Sequence, residues 1–401
     1  RMSSLILSRL FAASMPASAN PSRWDIFCQV IDNYGDIGVC WRLARQLVDE
    51  HGFGVRLWVD DLAAFQRICP EIVPRYSLQT VQGVEVRHWD ADFPEIDPGD
   101  VVIEAFACHL PERFIASMAG RKPAPVWINL DYLSAEAWVS GCHALPSPHP
   151  RLPLTKYFFF PGFNETTGGL LRENRLDQRR QSFCASPEQQ TGFWRTLGLP
   201  PPPADILLVS LFAYENPAIG DLLAIWAQGR TPVCCLAPLT QTRSAIEAFV
   251  TQPLQAGDAL RRGNLEIRML PFIAQHEYDQ LLWSCDINLV RGEDSFVRAQ
   301  WAAKPMLWQI YPQDEDAHLT KLAAFLDLYC ADLPEESRGA VRQLYRAWNG
   351  DKDAGRITAD LWAEWMCALP DLRRNALDWA EKRAKQEDLC SCLVRFCRSK
   401  L

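Results

Sequence analysis

The chain has no block of like charge, no Cys-x-x-Cys pair, no Gly-x-Gly-x-x-Gly after its first apolar strand and no long membrane-spanning apolar run. Each absence removes a class of function. Its 41 basic and 49 acidic residues give a net charge of −8 without a basic stripe, so a nucleic-acid footprint is not supported. Cys390 and Cys392 are too close together, and too far from suitable histidines, to form a zinc site. The glycine spacing of "DNYGDIG", Asp32–Gly38, is wrong for a dinucleotide fingerprint, which argues against a dehydrogenase. No segment approaches the ~20 apolar residues of a transmembrane helix, so no membrane partner is expected.

What is present is an ordinary globular composition, 48% hydrophobic and 22% charged over 401 residues, enough for two large domains. The 14 cysteines are scattered through apolar segments such as "WDIFCQV" and "PVCCLAP". Reduced core thiols in a cytoplasmic protein account for them. Residues 1–23, with Arg1 before Met2 and a short apolar run, read as a leader outside the fold, disordered or added to the natural chain, with Met15 a candidate natural start.

From Trp24 the pattern alternates between strands and helices. Strands are expected at Trp24–Ile31, Gly54–Asp60, Val84–Trp89, Val101–Phe106 and Val126–Tyr132, with a helix at Gly38–Asp49 and a long loop over Ser134–Thr155. "LGLPPPPAD", Leu197–Asp205, breaks the chain, since four prolines cannot sit inside a helix or central strand. Alternation then resumes through "DILLVSLFAY", "PVCCLAP", "LEIRMLPF", "INLVRG" and "PMLWQIYP", and the chain becomes helical from Asp316. The expected class is α/β, two doubly wound domains with a helical tail and ligands at the carboxyl ends of the strands.

Four strand ends carry chemistry. After the first strand, Asp32 and Asp36 place two negative charges on a glycine turn, where a helix N-terminus would otherwise welcome phosphate. A cation or a proton suits them better, although Asp residues also dominate turns and cap helices. After "INLVRG", Ser295 and the free N–H groups of a helix start suit a diphosphate, with Arg291 adding a cation. Glu293 and Asp294 suit sugar hydroxyls, or simply favour the helix dipole. Phe212, Tyr214, Phe272 and Gln275 offer aromatic faces and an amide for a pyrimidine, or belong to the core.

The stretches "IFCQVIDNYGDIGVCWRLARQL", "LPFIAQHEYDQLLWSCDINLVRGEDSFVRAQWAAKPMLWQIYP" and "DEDAHLTKLAAFL" resemble the bacterial elongation factor P arginine rhamnosyltransferases (the EarP family), from Trp24 into the helical tail. The resemblance implies a GT-B fold. Residues 24–196 would form the N-terminal, acceptor-binding Rossmann-like domain, and 204–368 the C-terminal, nucleotide-sugar-binding one. Residues 369–401 would be a helical tail packing on the first domain. It implies dTDP-β-L-rhamnose as donor substrate, elongation factor P as protein acceptor, inversion at the anomeric carbon and no cofactor. The modified factor would serve ribosomes stalled at polyproline. By motif position, Asp32, Asp36 and Glu293 are similar to the family's essential acids. Phe212, Tyr214, Phe272, Gln275, Arg291, Asp294, Ser295 and Gly35 are similar to its donor-binding set. Guanidinium chemistry gives the paired aspartates a purpose: one carboxylate orients the group or takes its proton, and the other assists.

Asp90-Ala91-Asp92 and Asp314-Glu315-Asp316 match the Asp-x-Asp of metal-dependent glycosyltransferases, but short acidic patterns arise by chance, and no metal is expected. His143 and His149 lack partner ligands at useful spacing. The rival readings are a nucleotide-sugar transferase with another acceptor and a non-catalytic nucleotide-binding protein, against which the three acids argue.

Overall fold

The computed structural model describes residues 22–313 and 316–401. The expected leader lies outside these residues except for Ser22 and Arg23, and Arg23 already belongs to the first strand. The acidic pattern beginning at Asp314 falls outside them save for Asp316.

Among the described residues fourteen strands form two sheets. The first contains β1 (Arg23–Cys28), β2 (Gly54–Val59), β3 (Leu78–Val81), β4 (Val84–His88), β5 (Val101–Ala105), β6 (Val126–Leu130), β7 (Pro146–Pro148) and β8 (Thr155–Phe159), in the order β3-β4-β2-β1-β5-β6-β8-β7. The second contains β9 (Leu207–Leu211), β10 (Val233–Pro238), β11 (Ala259–Arg262), β12 (Leu265–Leu270), β13 (Ile287–Arg291) and β14 (Met306–Gln309), in the order β11-β12-β10-β9-β13-β14. Central pairs such as β1 with β2 and β5, and β9 with β10 and β13, are parallel. β3, β7 and β11 pair antiparallel at edges. Near-continuous apolar runs such as β5 and β10 are buried along their whole length, as helices on both faces of a parallel sheet require. Two facing Rossmann-like sheets of this kind make the GT-B fold.

The structure departs from the sequence reading in several places. The first strand stops at Cys28, not Ile31, because side chains rather than a neighbouring strand satisfy the next N–H groups: Val30 N–H donates to Asp60 Oδ1 at 2.8 Å and Ile31 N–H to Asp36 Oδ2 at 2.9 Å. The helix starts at Gly35, so Asp36 lies in its first turn. The expected loop over Ser134–Thr155 contains a short helix, Trp138–Cys142, and β7, whose two prolines are tolerated at a sheet edge. The helices Leu176–Ala185 and Pro187–Thr196 bury Leu176, Phe183, Phe193 and Trp194 in the core of the second sheet, so the chain changes layer before its proline run.

Helix Leu369–Ala384 contributes Trp379 to that same core. The last helix, Leu389–Arg398, crosses back and buries Leu389, Cys390, Leu393, Val394 and Cys397 in the core of the first sheet. All 14 cysteines are unpaired, and all but Cys142, Cys184 and Cys367 are buried. No described helix is long and apolar enough to cross a membrane.

Candidate active site

In each sheet the strand order reverses beside the first strand of its domain, at β1–β5 and at β9–β13. A crevice opens at the carboxyl ends of such strands. The segments that follow β1, β6, β9, β12 and β13 meet there.

The turn after β1 is fixed by its own acids. Asp36 Oδ2 accepts the N–H groups of Ile31 and Asp32 at 2.9 and 2.8 Å, and Oδ1 accepts the Tyr132 hydroxyl at 3.2 Å. Asp36 does not cap the helix it opens; the N-cap is Tyr34, which makes no side-chain cap. Asp32 reaches across the crevice instead. Its Oδ1 accepts from Arg291 Nη1 at 2.8 Å and its Oδ2 from the Tyr214 hydroxyl at 2.6 Å. Glycines make this approach possible. A Cβ on Gly35 would lie 2.4 Å from Asp32 Oδ2, and one on Gly292, whose φ is +61°, would lie 2.7 Å from the same atom.

The second domain supplies the opposite wall. β13 ends at Arg291, Gly292 turns the chain, and helix Asp294–Trp301 begins without a side-chain N-cap. Arg291 lies over the rings of Tyr214 and Phe212, at 4.3 and 4.7 Å from their centroids. The Ser295 hydroxyl donates to the Arg291 carbonyl and accepts the Arg291 N–H at 3.1 Å. Asp294 accepts from Arg42 Nε at 2.7 Å and from Gln275 Nε2 at 3.1 Å, and Gln275 also donates to the Gly38 carbonyl at 2.9 Å. Glu293 accepts the Leu133 N–H at 2.9 Å.

Two adjoining cavities result. The first, about 530 Å³, is lined by Tyr34, Phe212, Phe272, Gln275, Arg291, Asp294 and Ser295, among others. The second, about 720 Å³, is lined by Asp32, Asp36, Glu293, Tyr132, Tyr311 and Lys321, among others. Gly35 lines both. The three acids singled out in the sequence thus share one cavity, and the aromatic, amide and cationic residues share the other. Tyr214 is the exception: it lines neither and holds Asp32 from behind.

The comparisons with known proteins bear on this geometry. Residues 24–398 match the model of the elongation-factor P (EF-P) rhamnosyltransferase EarP family. The chain belongs to this family. It is 50% identical over 379 residues to a protein-arginine rhamnosyltransferase of Pseudomonas putida, covering 94% of this chain and 99% of that one. It is also 50% identical over 374 residues to one of Pseudomonas aeruginosa, covering 93% and 98%. A solved structure described as the basis for EarP-mediated arginine glycosylation of translation elongation factor EF-P is similar with a TM-score of 0.68 at 37% identity, covering 95% of this chain and 100% of that one.

In this EarP-family chain the acid cavity holds its carboxyls towards neutrality. Burial pushes Asp32 up to about 6, outweighing the Arg291 charge and the Tyr214 hydroxyl bond. Burial also raises Asp36, while the N–H groups of Asp32 and Ile31 pull it back. Burial, with the Asp36 and Asp131 charges adding, lifts Glu293 to about 8 against the Leu133 N–H and Lys321. A cavity of this kind gains by admitting a cation.

Sequence reading missed three neighbours. Tyr132, which bonds Asp36, follows β6, and its place at a strand's carboxyl end was the available signal. Arg42 and Lys321 lie inside the quoted family stretches but carried no local pattern. The remaining candidates play structural parts. Asp90 and Asp92 sit on an exposed turn closed by the Asp92 N–H on Asp90 Oδ1 at 3.0 Å. His143 accepts the backbone N–H of Phe160, just past β8, and His149 accepts those of Arg151 and Leu152 within its own loop. Among the described residues no group of three or more His, Cys, Asp or Glu is placed to hold a metal ion.

Proposed function

We propose that this protein moves L-rhamnose from dTDP-β-L-rhamnose to one arginine side chain of translation elongation factor P, in the cytoplasm, with inversion and without a metal or cofactor. One observation carries the reading most: a cavity lined by Asp32, Asp36 and Glu293 adjoins an aromatic and cationic cavity through Gly35. The donor occupies the second-domain side. Phe212, Phe272 and Gln275 receive the thymine, and Arg291 and Ser295, with the N–H groups at the start of the helix at Asp294, receive the diphosphate. Asp294 and Gln275 exchange their present bonds for ligand contacts.

The acceptor guanidinium enters the acid cavity from the first-domain side. It stays protonated in water because its pKa exceeds about 12, and it has no lone pair ready for attack. A carboxylate beside it holds the planar group in register. Asp36 is assigned this role or that of base, through the oxygen bonded to Tyr132. Asp32 positions the turn and adds negative potential, and Glu293 supports the positive charge that develops on the sugar. The attacking nitrogen forms a C–N bond at the anomeric carbon while the bond to the phosphate oxygen breaks. The nitrogen's proton passes to the acid, and dTDP leaves toward Arg291. One displacement from the opposite face inverts the centre, with no covalent enzyme intermediate.

The test is the intact mass of elongation factor P after incubation with this protein and dTDP-β-L-rhamnose, with and without EDTA. A single added deoxyhexose in both samples is expected, and peptide mapping then places it on one arginine. No addition, in the presence of measured donor binding, would move the assignment to another acceptor or to a binding protein.

A further inference from the structure

Beyond Asp36, helix Gly35–His51 of the first domain crosses the crevice with a second set of groups. Gly38, Arg42 and Arg45 stand four and then three residues apart, so they share one face of the helix. That face meets two donor-side residues of the second domain. Arg42 Nε donates to Asp294 Oδ1 at 2.7 Å, Gln275 Nε2 donates to the Gly38 carbonyl at 2.9 Å, and Arg45 Nη2 donates to Gln275 Oε1 at 3.4 Å. A Cβ on Gly38 would stand 3.0 Å from Asp294 Oδ2, so the helix backbone itself abuts that carboxylate. Arg42 is buried in a layer of charges, but the other acids there have a cation of their own. Arg298 grips Asp279 with two bonds, at 2.8 and 2.6 Å, and reaches Glu173 at 2.6 Å. Arg42 lies 3.5 Å from Glu173 and 3.8 Å from Asp279, so its short bond is the one to Asp294. Against burial, the Arg298 and Arg42 charges hold Glu173 and Asp279 below the usual carboxylate range, and the layer stays ionised.

Resting on the donor assignment above, we infer that Arg42 is a positioning residue of the donor site, fixing from the first domain the Asp294 carboxylate that meets the nucleotide sugar. A carboxylate has two oxygens to place. Arg42 takes Oδ1 with a charge-assisted bond, which leaves Oδ2 to Gln275 Nε2 at 3.1 Å. The ligand replaces Gln275 on Oδ2, and the Arg42 bond stays. Arg42 touches no ligand itself: Asp294 lines the donor-side cavity, whereas Arg42 lines neither that cavity nor the acid one. Asp36 lies in the first turn of the same helix, so one rigid element sets both an acid of the transfer and a carboxylate of the donor site.

The test is a double-mutant cycle of Arg42→Met with Asp294→Asn. Affinity for dTDP-β-L-rhamnose is measured by calorimetry, and KM for elongation factor P by initial rates. Each single variant should bind the donor about tenfold more weakly, the loss of one hydrogen bond to a charged group. The double variant should bind it no more weakly than Asp294→Asn alone, because Arg42 acts through Asp294. KM for elongation factor P should keep its wild-type value, which general damage to the first domain would not allow. Arg42→Lys keeps the buried charge and carries the same cycle should Arg42→Met not fold. Its single ammonium does not reproduce the guanidinium fork, so its donor affinity should fall about threefold. Losses that add in the double variant overturn the inference. So does wild-type donor affinity in the folded Arg42 variants, or a rise in KM for elongation factor P as large as the loss of donor affinity. Unchanged donor affinity in Asp294→Asn would instead overturn the donor assignment of Asp294, and the inference with it.

Discussion

Arg291 of the second domain donates to Asp32 of the first at 2.8 Å, with the Tyr214 hydroxyl 2.6 Å from the other carboxylate oxygen. The two acids of the turn therefore do different work. Asp36 is tied to its own domain, whereas Asp32 ties the domains together across the crevice.

Arg291→Ala leaves Asp32, 7% exposed, without its cation. An unpaired buried charge costs about 3 kcal/mol when ionised. Because the Asp32 carboxyl sits at about 6 even when paired, it is neutral under mildly acidic conditions and the loss shrinks there. Urea unfolding of the variant should therefore show a stability deficit that is larger near pH 8 than near pH 5. A deficit independent of pH would rule out this account of the pair.

Glu293 makes a separate pH prediction. Its folded value, about 8, lies above its ordinary value of 4.5, so the folded state binds the proton more tightly than the unfolded chain. That contribution is fully present below 4.5 and is lost as pH rises towards 8 and beyond. Glu293→Gln cannot titrate and should remove part of the wild-type decline in melting temperature across this window. The check is a melting series on both proteins, and parallel curves would contradict the assigned shift.

How much of this was legible beforehand follows from the reach of each signal. β1, the turn and the helix at Gly35 show as an apolar run, a glycine turn and helical periodicity, all local. The end of β1 was misplaced because Val30 and Ile31 look like strand residues, and their N–H groups turn instead to Asp60 and Asp36. The edge strands β3, β7 and β11 are short and largely solvent-facing, so they lack a hydrophobic signature. The grouping of the three acids came from family resemblance. Its physical content, that Asp32 pairs with Arg291 and Arg42 with Asp294, joins residues more than 250 positions apart, which no local pattern encodes.

Gly35 shows how tightly the turn is fitted. A methyl group there would stand 2.4 Å from Asp32 Oδ2 and must displace it, disturbing the wall shared by both cavities. Gly35→Ala should lower kcat for transfer about tenfold or more, through misplaced reacting groups, with little change in the far-ultraviolet circular dichroism. An unchanged kcat would show that Asp32 has room to move without consequence.

The central claim is that the acid cavity performs the transfer while the neighbouring cavity binds the donor. The most direct measurement compares single-turnover rhamnosyl transfer and TDP affinity in wild type and Asp36→Asn. The account predicts TDP affinity within about twofold and transfer slowed by about 100- to 10,000-fold, the range expected for losing a positioned acid–base group. Normal transfer, or a loss of TDP affinity as large as the loss of transfer, would contradict it.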